Sequence, residues 1–360
     1  MPATILSASV RALAAIAIVP LVIGACSSKL RSDDPSLVRR GGDDDDDDEG
    51  APDARASTGG RKDGGKGTEN GGTTPSNDGG MSSDASEPPP EPPPTWQEHW
   101  FEHTQVLNLF DYNNDVAMYV DGDVDLDQAR WEVAFMTSLW RHAKATYGDL
   151  KGMSRDPRLY VIFHTNKYNG CHNGRYYESL HDYRNVTDCG ASGWADTDNY
   201  SYDGPTDAVG SIVGSTNSGL HGNPYASVWG DWTWIQLFRY DAYKALGLTT
   251  HAQRVYSELL ARADTSPRAD THWFRDWLYP LWRDYGHADV MARFFELEAK
   301  YFPNNGDTYS RSMNWGEFVH FMSGAAHKDL LSMAHTAFGP TFPSVEVFAA
   351  ARGAFPQITY

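Results

Sequence analysis

The sequence predicts an α+β protein, a small β-containing N-terminal subdomain followed by a mainly helical one, carried behind a long polar leader. Strand-like runs come first and helix-like runs afterwards, the order of α+β rather than alternating α/β architectures. All 12 Trp lie from Trp96 onward, whereas the Asp run and the Pro triplets lie before it. That leaves about 265 residues for one core or two intimate subdomains. A net charge of −18 and a pI near 5.0 exclude a polybasic nucleic-acid binder. With 40% hydrophobic and 13% aromatic residues, the chain is not globally disordered.

Residues 1–25 have the parts of a secretory signal. Arg11 precedes an apolar run over 12–23 that is broken by Pro20 and falls short of a span of about 20 residues. The run ends Ile23-Gly24-Ala25-Cys26, which resembles a bacterial lipobox. Cys26 is therefore the expected lipid attachment point, and a membrane the expected partner. Ser27, rather than Asp, follows the cysteine, which points to the outer membrane or cell surface of the envelope. Residues 26–95 read as a tether. An acidic block at 43–49 repels itself, paired glycines punctuate the rest, and the Pro-rich run 87–94 forms a polyproline II spacer.

In the globular part, 115–120 alternates as a strand, and 158–164 is apolar enough to be a central one. Between them Trp131, Phe135, Leu139 and Ala143 recur at helical spacing, with Asp125 or Asp127 as N-cap. From Pro205 the pattern is helical, with segments near 206–218, 231–246, 249–262, 271–284, 286–301, 314–325, 328–338 and 344–353. Cys171 and Cys189 are the two cysteines left after processing, each beside a glycine, and read as one disulfide. A Cys/His metal site with His164, His172 or His181 is the weaker alternative, since the spacing is irregular and no C-x-x-C is present.

Two motifs suggest metal. Asp121, Asp123 and Asp125 alternate as in a calcium loop, with Glu132 at the twelfth position, but the sixth position holds Leu126 where the sharp turn needs Gly. This is read as an acidic strand-to-helix turn. His99-Trp100-Phe101-Glu102-His103 spells the inverted zinc-peptidase motif. On a helix its histidines would share a face, but it abuts the tether at the domain edge.

A longer set of blocks points to a family. It comprises Trp-Phe-Glu-His at 100–103, Arg-Leu-Tyr-Val-Ile-Phe-His-Thr at 158–165, His-Asp-Tyr-Arg-Asn at 181–185 and Val-Trp-Gly-Asp at 228–231. Thr-His-Trp-Phe-Arg-Asp-Trp at 271–277 and Ser-Met-Asn-Trp-Gly-Glu-Phe-Val-His-Phe at 312–321 continue it. Together, residues 96–360 resemble secreted bacterial zincin metallopeptidases of the gluzincin type. The resemblance implies a zincin-like fold in which the helix before Trp-Gly-Asp carries His-Glu-x-x-His and the next helix carries a glutamate. Here Asp207 stands at the first histidine, Ala208 at the general base, Ser211 at the second histidine and Gln236 at the third ligand.

Hydrolytic zinc needs three good ligands and an open position, and a base must take the proton from water. Ser211 and Gln236 ligate zinc poorly and Ala208 cannot act as a base. The expected protein is therefore an anchored, catalytically silent relative with no cofactor, binding a peptide, protein or glycan. The alternative is an active zinc-dependent hydrolase using Asp207 and Asp231, or His99, Glu102 and His103. The lipid anchor is directly testable. Cys26→Ala should leave the membrane fraction or persist as uncut precursor. Mature wild-type protein without an acylated N-terminal cysteine in its mass spectrum would remove the assignment.

Overall fold

Strands β1 (Thr95–Gln97), β2 (Val106–Tyr112), β3 (Val116–Val120), β4 (Leu159–Thr165), β5 (Gly170–Gly174) and β6 (Asn185–Ala191) form one mixed sheet in the order β1-β2-β3-β4-β6-β5. The computed structural model describes residues 89–151, 155–230 and 232–360. The expected signal segment 1–25, Cys26 and the expected tether as far as residue 88 lie outside the described residues, as does Asp231. Pairing is parallel for β3-β4 and β4-β6 and antiparallel at both edges. The order of elements, strands first and helices after, makes the fold α+β.

Parallel neighbours need a crossover. Helices α1 (Leu126–Ala129) and α2 (Glu132–Tyr147) supply it between β3 and β4, with Asp125 capping α1 by accepting from the amides of Asp127 and Gln128. The central strands are covered on both faces, which splits their side chains by parity. Val116, Met118, Leu159, Val161, Phe163 and Cys189 join the main core with α2 and the later helices. Ala117, Tyr119, Tyr160, Ile162 and Val186 form a second, smaller core with Trp96, Trp100 and Leu107 on the opposite face. Cys171 and Cys189 face each other across β5 and β6 and are joined by a disulfide.

The end of the Pro-rich run docks on the sheet rather than standing off it. Arg158 donates to Pro90 O at 2.7 Å, and the Tyr119 hydroxyl donates to Pro93 O at 2.7 Å. The sequence boundary at 96 therefore falls inside the folded unit, because polyproline carbonyls without internal partners remain available as acceptors.

Seven longer helices follow: α3 (Asn199–Thr216), α5 (Thr233–Ala245), α6 (Thr249–Ala261), α8 (Ala288–Tyr301), α9 (Trp315–Ala326), α10 (Leu331–Phe338) and α11 (Val345–Ala354), with α4 (Ala226–Trp229) and α7 (Tyr279–Asp284) as short connecting turns. The expected segments match these closely, except at 271–284, where a π-helical stretch Phe274–Leu278 leads into α7, and at α3. That helix starts earlier, capped by Asp198, and runs through Pro205. Thr206, where the expected segment begins, lies inside the helix, and its hydroxyl donates back to Tyr202 O at 2.7 Å. Two glycines on α3 make room for α5. A Cβ on Gly210 would sit 2.8 Å from Phe238 Cδ1, and one on Gly214 would sit 2.8 Å from Trp234 Nε1, so both positions admit α5 at close range.

The helical core also buries two carboxyls, Glu132 on α2 and Glu298 on α8, with no hydrogen-bond partner among the described residues. Burial pushes both well above the usual carboxylate range. Each keeps its proton when folded and would lose it when unfolded. Stability is therefore greatest below the unfolded value and falls as pH rises above it. Glu298→Gln should flatten that fall and raise stability at neutral pH relative to wild type, because the amide has no proton to lose on unfolding. Urea unfolding at several pH values checks this; an unchanged pH slope would contradict it.

Candidate functional site

The helix pair that the family resemblance singles out is filled by an ion pair. Asp207 on α3 takes the Arg239 guanidinium of α5 on both oxygens, with Nε donating at 2.7 Å and Nη2 to the second oxygen. Burial pushes Asp207 up to about 6 against the pull of Arg239. Arg239 is raised because Asp207 outweighs its own burial. At neutral pH both partners are charged. Ala208 is buried, Ser211 half-buried, and the buried Gln236 leaves its Oε1 without a partner among the described residues.

The acidic loop is committed to other contacts. Asp121 and Asp123 both pair with Lys167, at 2.6 and 3.1 Å, and Asp125 serves as the α1 cap. Glu132, the expected twelfth ligand, is sealed in the core. A calcium loop needs these carboxylates to converge on one ion; here two of them converge on Lys167, while Asp125 caps α1 and Glu132 is buried elsewhere. The inverted motif is likewise not a helix. His99 lies at the surface, 3.3 Å from Asp182, and Glu102 is exposed. Only His103 turns inward. Both cysteines are in the disulfide, so the Cys/His alternative has no thiolate to offer, and His172 is exposed.

A different set converges on the sheet face opposite the helices. His164 lies one residue before the end of β4 on the parity of Tyr160 and Ile162, and Asp188 lies on β6 two residues past Val186, so both face the second core. Over them pass β1 and the segment after it, where Trp96, Glu98 and Trp100 alternate inward with exposed Gln97 and His99 between. The chain then turns at Phe101, with φ of 52°, and delivers His103. Gly190 lets the loop after β4 cross at backbone contact, since a Cβ there would meet Lys167 O and Tyr168 O at 2.0 Å. That loop lays the Tyr168 ring on His103 at a centroid distance of 3.4 Å.

One ligand atom from each of Glu98, His103, His164 and Asp188 can be chosen so that all lie within 4.8 Å of one another, and none of the four residues is more than 1% exposed. His164 Nε2 is 3.0 Å from Glu98 Oε1 and 3.1 Å from Asp188 Oδ1; His103 Nδ1 is 2.8 Å from Asp188 Oδ2 and 3.5 Å from Glu98 Oε1. Of these four contacts only His164–Glu98 has hydrogen-bond geometry, and Glu98 Oε2, Asp188 Oδ1 and both His103 nitrogens are left without an aligned partner. A second ring of groups holds the first. Asp121 Oδ2 lies 3.3 Å from His164 Nδ1, and the Trp100 indole donates to Asp188 Oδ2 at 2.8 Å.

Burial would lower both imidazoles, but Asp188 and Glu98 outweigh it and raise His103 to about 9 and His164 to about 10. Against its own burial, Asp188 is held far below the usual carboxylate range by the same two histidines. Two imidazoles and two carboxylates can thus be neutralised by two protons or by one divalent cation. None of the four is more than 1% exposed, so they face one another rather than a cleft.

The sequence motifs captured only His103 of this set, together with His164 as an alternative ligand beside the cysteines. Glu98 had a legible signal, an acid at an inward position between Trp96 and Trp100. Asp188 had none without the strand, because Asn185–Ala191 lacks an apolar pattern.

A scan against models of known protein families finds no match to this chain, and a search of curated proteins also finds none. The α3–α5 ion pair gives a direct test of how that helix pair is held. Asp207→Ala should cost about 2–4 kcal/mol, because it strands a largely buried guanidinium. Asp207→Leu combined with Arg239→Met should recover most of that loss. Denaturant unfolding of the single and double variants measures the coupling; additive losses would show that the pair contributes nothing specific.

Proposed function

We propose that this is an exported, lipid-anchored protein of metallopeptidase-like design that binds a ligand at the cell envelope and does not hydrolyse it. The observation that carries this reading is the Asp207–Arg239 ion pair. It occupies the position that the resembled family gives to its first zinc-binding histidine. A carboxylate already neutralised by a guanidinium on both oxygens has little left to offer a cation. Ala208, next to it, supplies no proton acceptor. Hydrolytic zinc at this helix pair would need a new ligand set as well as removal of Arg239.

A ligand-binding role is favoured by Trp232. It immediately precedes α5 and is 59% exposed, an unusual place for a large aromatic in a domain that buries most of its other tryptophans. It stands one helical turn before Gln236, so a ligand crossing the N-terminal end of α5 would meet an indole platform.

The decisive assay is cleavage of a peptide library by the purified full chain, with and without chelator. No chelator-sensitive cleavage is expected. Replacing Asp207, Ala208, Ser211 and Gln236 by His, Glu, His and Glu should create zinc affinity at α3 and α5 only when Arg239→Met is added, because the guanidinium would otherwise repel the ion. Chelator-sensitive hydrolysis by the wild-type protein would falsify the proposal.

A further inference from the structure

We infer that Glu98, His103, His164 and Asp188 form a closed structural site for one zinc ion, which fastens the segment 98–103 to the sheet. This site is independent of the α3–α5 helix pair and lies on the other face of β4 and β6. Four observations carry it.

The donor set comes first. Two imidazoles and two carboxylates suit a borderline divalent ion, and their summed charge matches it. Calcium and magnesium, which take oxygen ligands, do not explain two histidines. Size is the second. Four ligands about 2.0–2.1 Å from a tetrahedral ion stand about 3.3–3.4 Å apart. The closest nitrogen-to-oxygen contacts in the cluster run from 2.8 to 3.5 Å, with one atom from each residue lying within 4.8 Å of the others, so a small inward shift of the side chains would close the set on an ion.

Orientation is the third. His103 Nδ1 lies 2.8 Å from Asp188 Oδ2 and His164 Nε2 lies 3.1 Å from Asp188 Oδ1. Yet His103 Nδ1 and Asp188 Oδ1 have no aligned hydrogen bond, and neither does the buried Glu98 Oε2. Polar atoms that approach closely without a donor aimed at an acceptor are arranged around a shared point. In a solvent-free core such atoms are costly unless something occupies that point.

The outer shell is the fourth. The Asp121 carboxylate against His164 Nδ1 places the proton there and frees Nε2 toward the cluster. Asp121 is itself fixed by Lys167 and by the Gly122 amide. Trp100 orients Asp188 in the same manner. With four protein ligands and no exposure, the site has no open position for water or substrate, which makes it structural rather than catalytic. Its effect would be to lock a segment that has no helix or long strand of its own, together with the Tyr168 loop that roofs it.

The test is metal analysis of the purified full chain together with its melting curve. About one zinc, or another first-row divalent ion, per chain is expected, and stripping with a strong chelator should lower Tm by about 10 °C, restored by adding zinc back. His103→Gln with Asp188→Asn should lose the metal, whereas Ser211→Ala and Gln236→Leu, on the helix pair, should keep it. Hydrogen exchange on the wild-type protein serves where the double variant fails to fold. Chelation should deprotect 98–104 and 164–168 and leave α5 and α6 unchanged. Protein that takes up no stoichiometric divalent metal from added zinc overturns the site, as does metal lost on Ser211→Ala or Gln236→Leu. A stoichiometric metal whose removal leaves exchange at 98–104 unaltered overturns it equally.

Discussion

The pairing of β4 with β6 is the constraint on which the rest of this structure depends. Because side chains alternate across a strand, the register that sets Ile162 beside Asp188 also sets Phe163 beside Cys189. Asp188 is thereby committed to the face that receives Glu98 and His103, while Cys189 goes to the face where Cys171 and the helical core await it. A slip of one residue would exchange the two, sending a carboxylate into the main core and a thiol into a cluster of charges. The disulfide on one face and the buried charges on the other thus specify the same register.

The covering of the second face follows from this. A parallel strand pair must be shielded on both sides, and the helices take only one. The other falls to short, irregular pieces: the segment after β1, the loop over Gly190, and the turn Ser179–His181, whose His181 ring lies where a Cβ on Gly174 would be. Five of the nine non-glycine residues with positive φ among the described residues, Phe101, Asn166, Tyr168, Asp182 and Tyr183, lie in these pieces. Such conformations persist where surroundings over-determine them, and here the surroundings are the four buried ionisable groups and the aromatic rings stacked about them.

The helical half is organised by a different economy of space. Gly210 and Gly214 let α5 approach α3 closely, and Trp234 uses that proximity to donate to Gly210 O at 3.0 Å. Within this tight contact the Asp207–Arg239 pair is a buried polar tie, joined by Asp203 and Arg254 at its edge. The contact between the two helices is thus completed by a guanidinium.

The sequence by itself determined the α+β order of elements, nearly all the helical segments and the cysteine pair. These are legible because helical periodicity and motif content are local, readable within a dozen residues. The start of α3 was not, because packing carried the helix through Pro205 against local preference. Nor was β6, whose residues become a central strand only through the strands beside it. The charge cluster lay furthest from reach. Glu98 meets His164 across 66 residues of chain, and Trp100 meets Asp188 across 88. Only the tertiary structure decided that meeting, because strand register and chain crossing, not spacing along the sequence, bring the groups to one point.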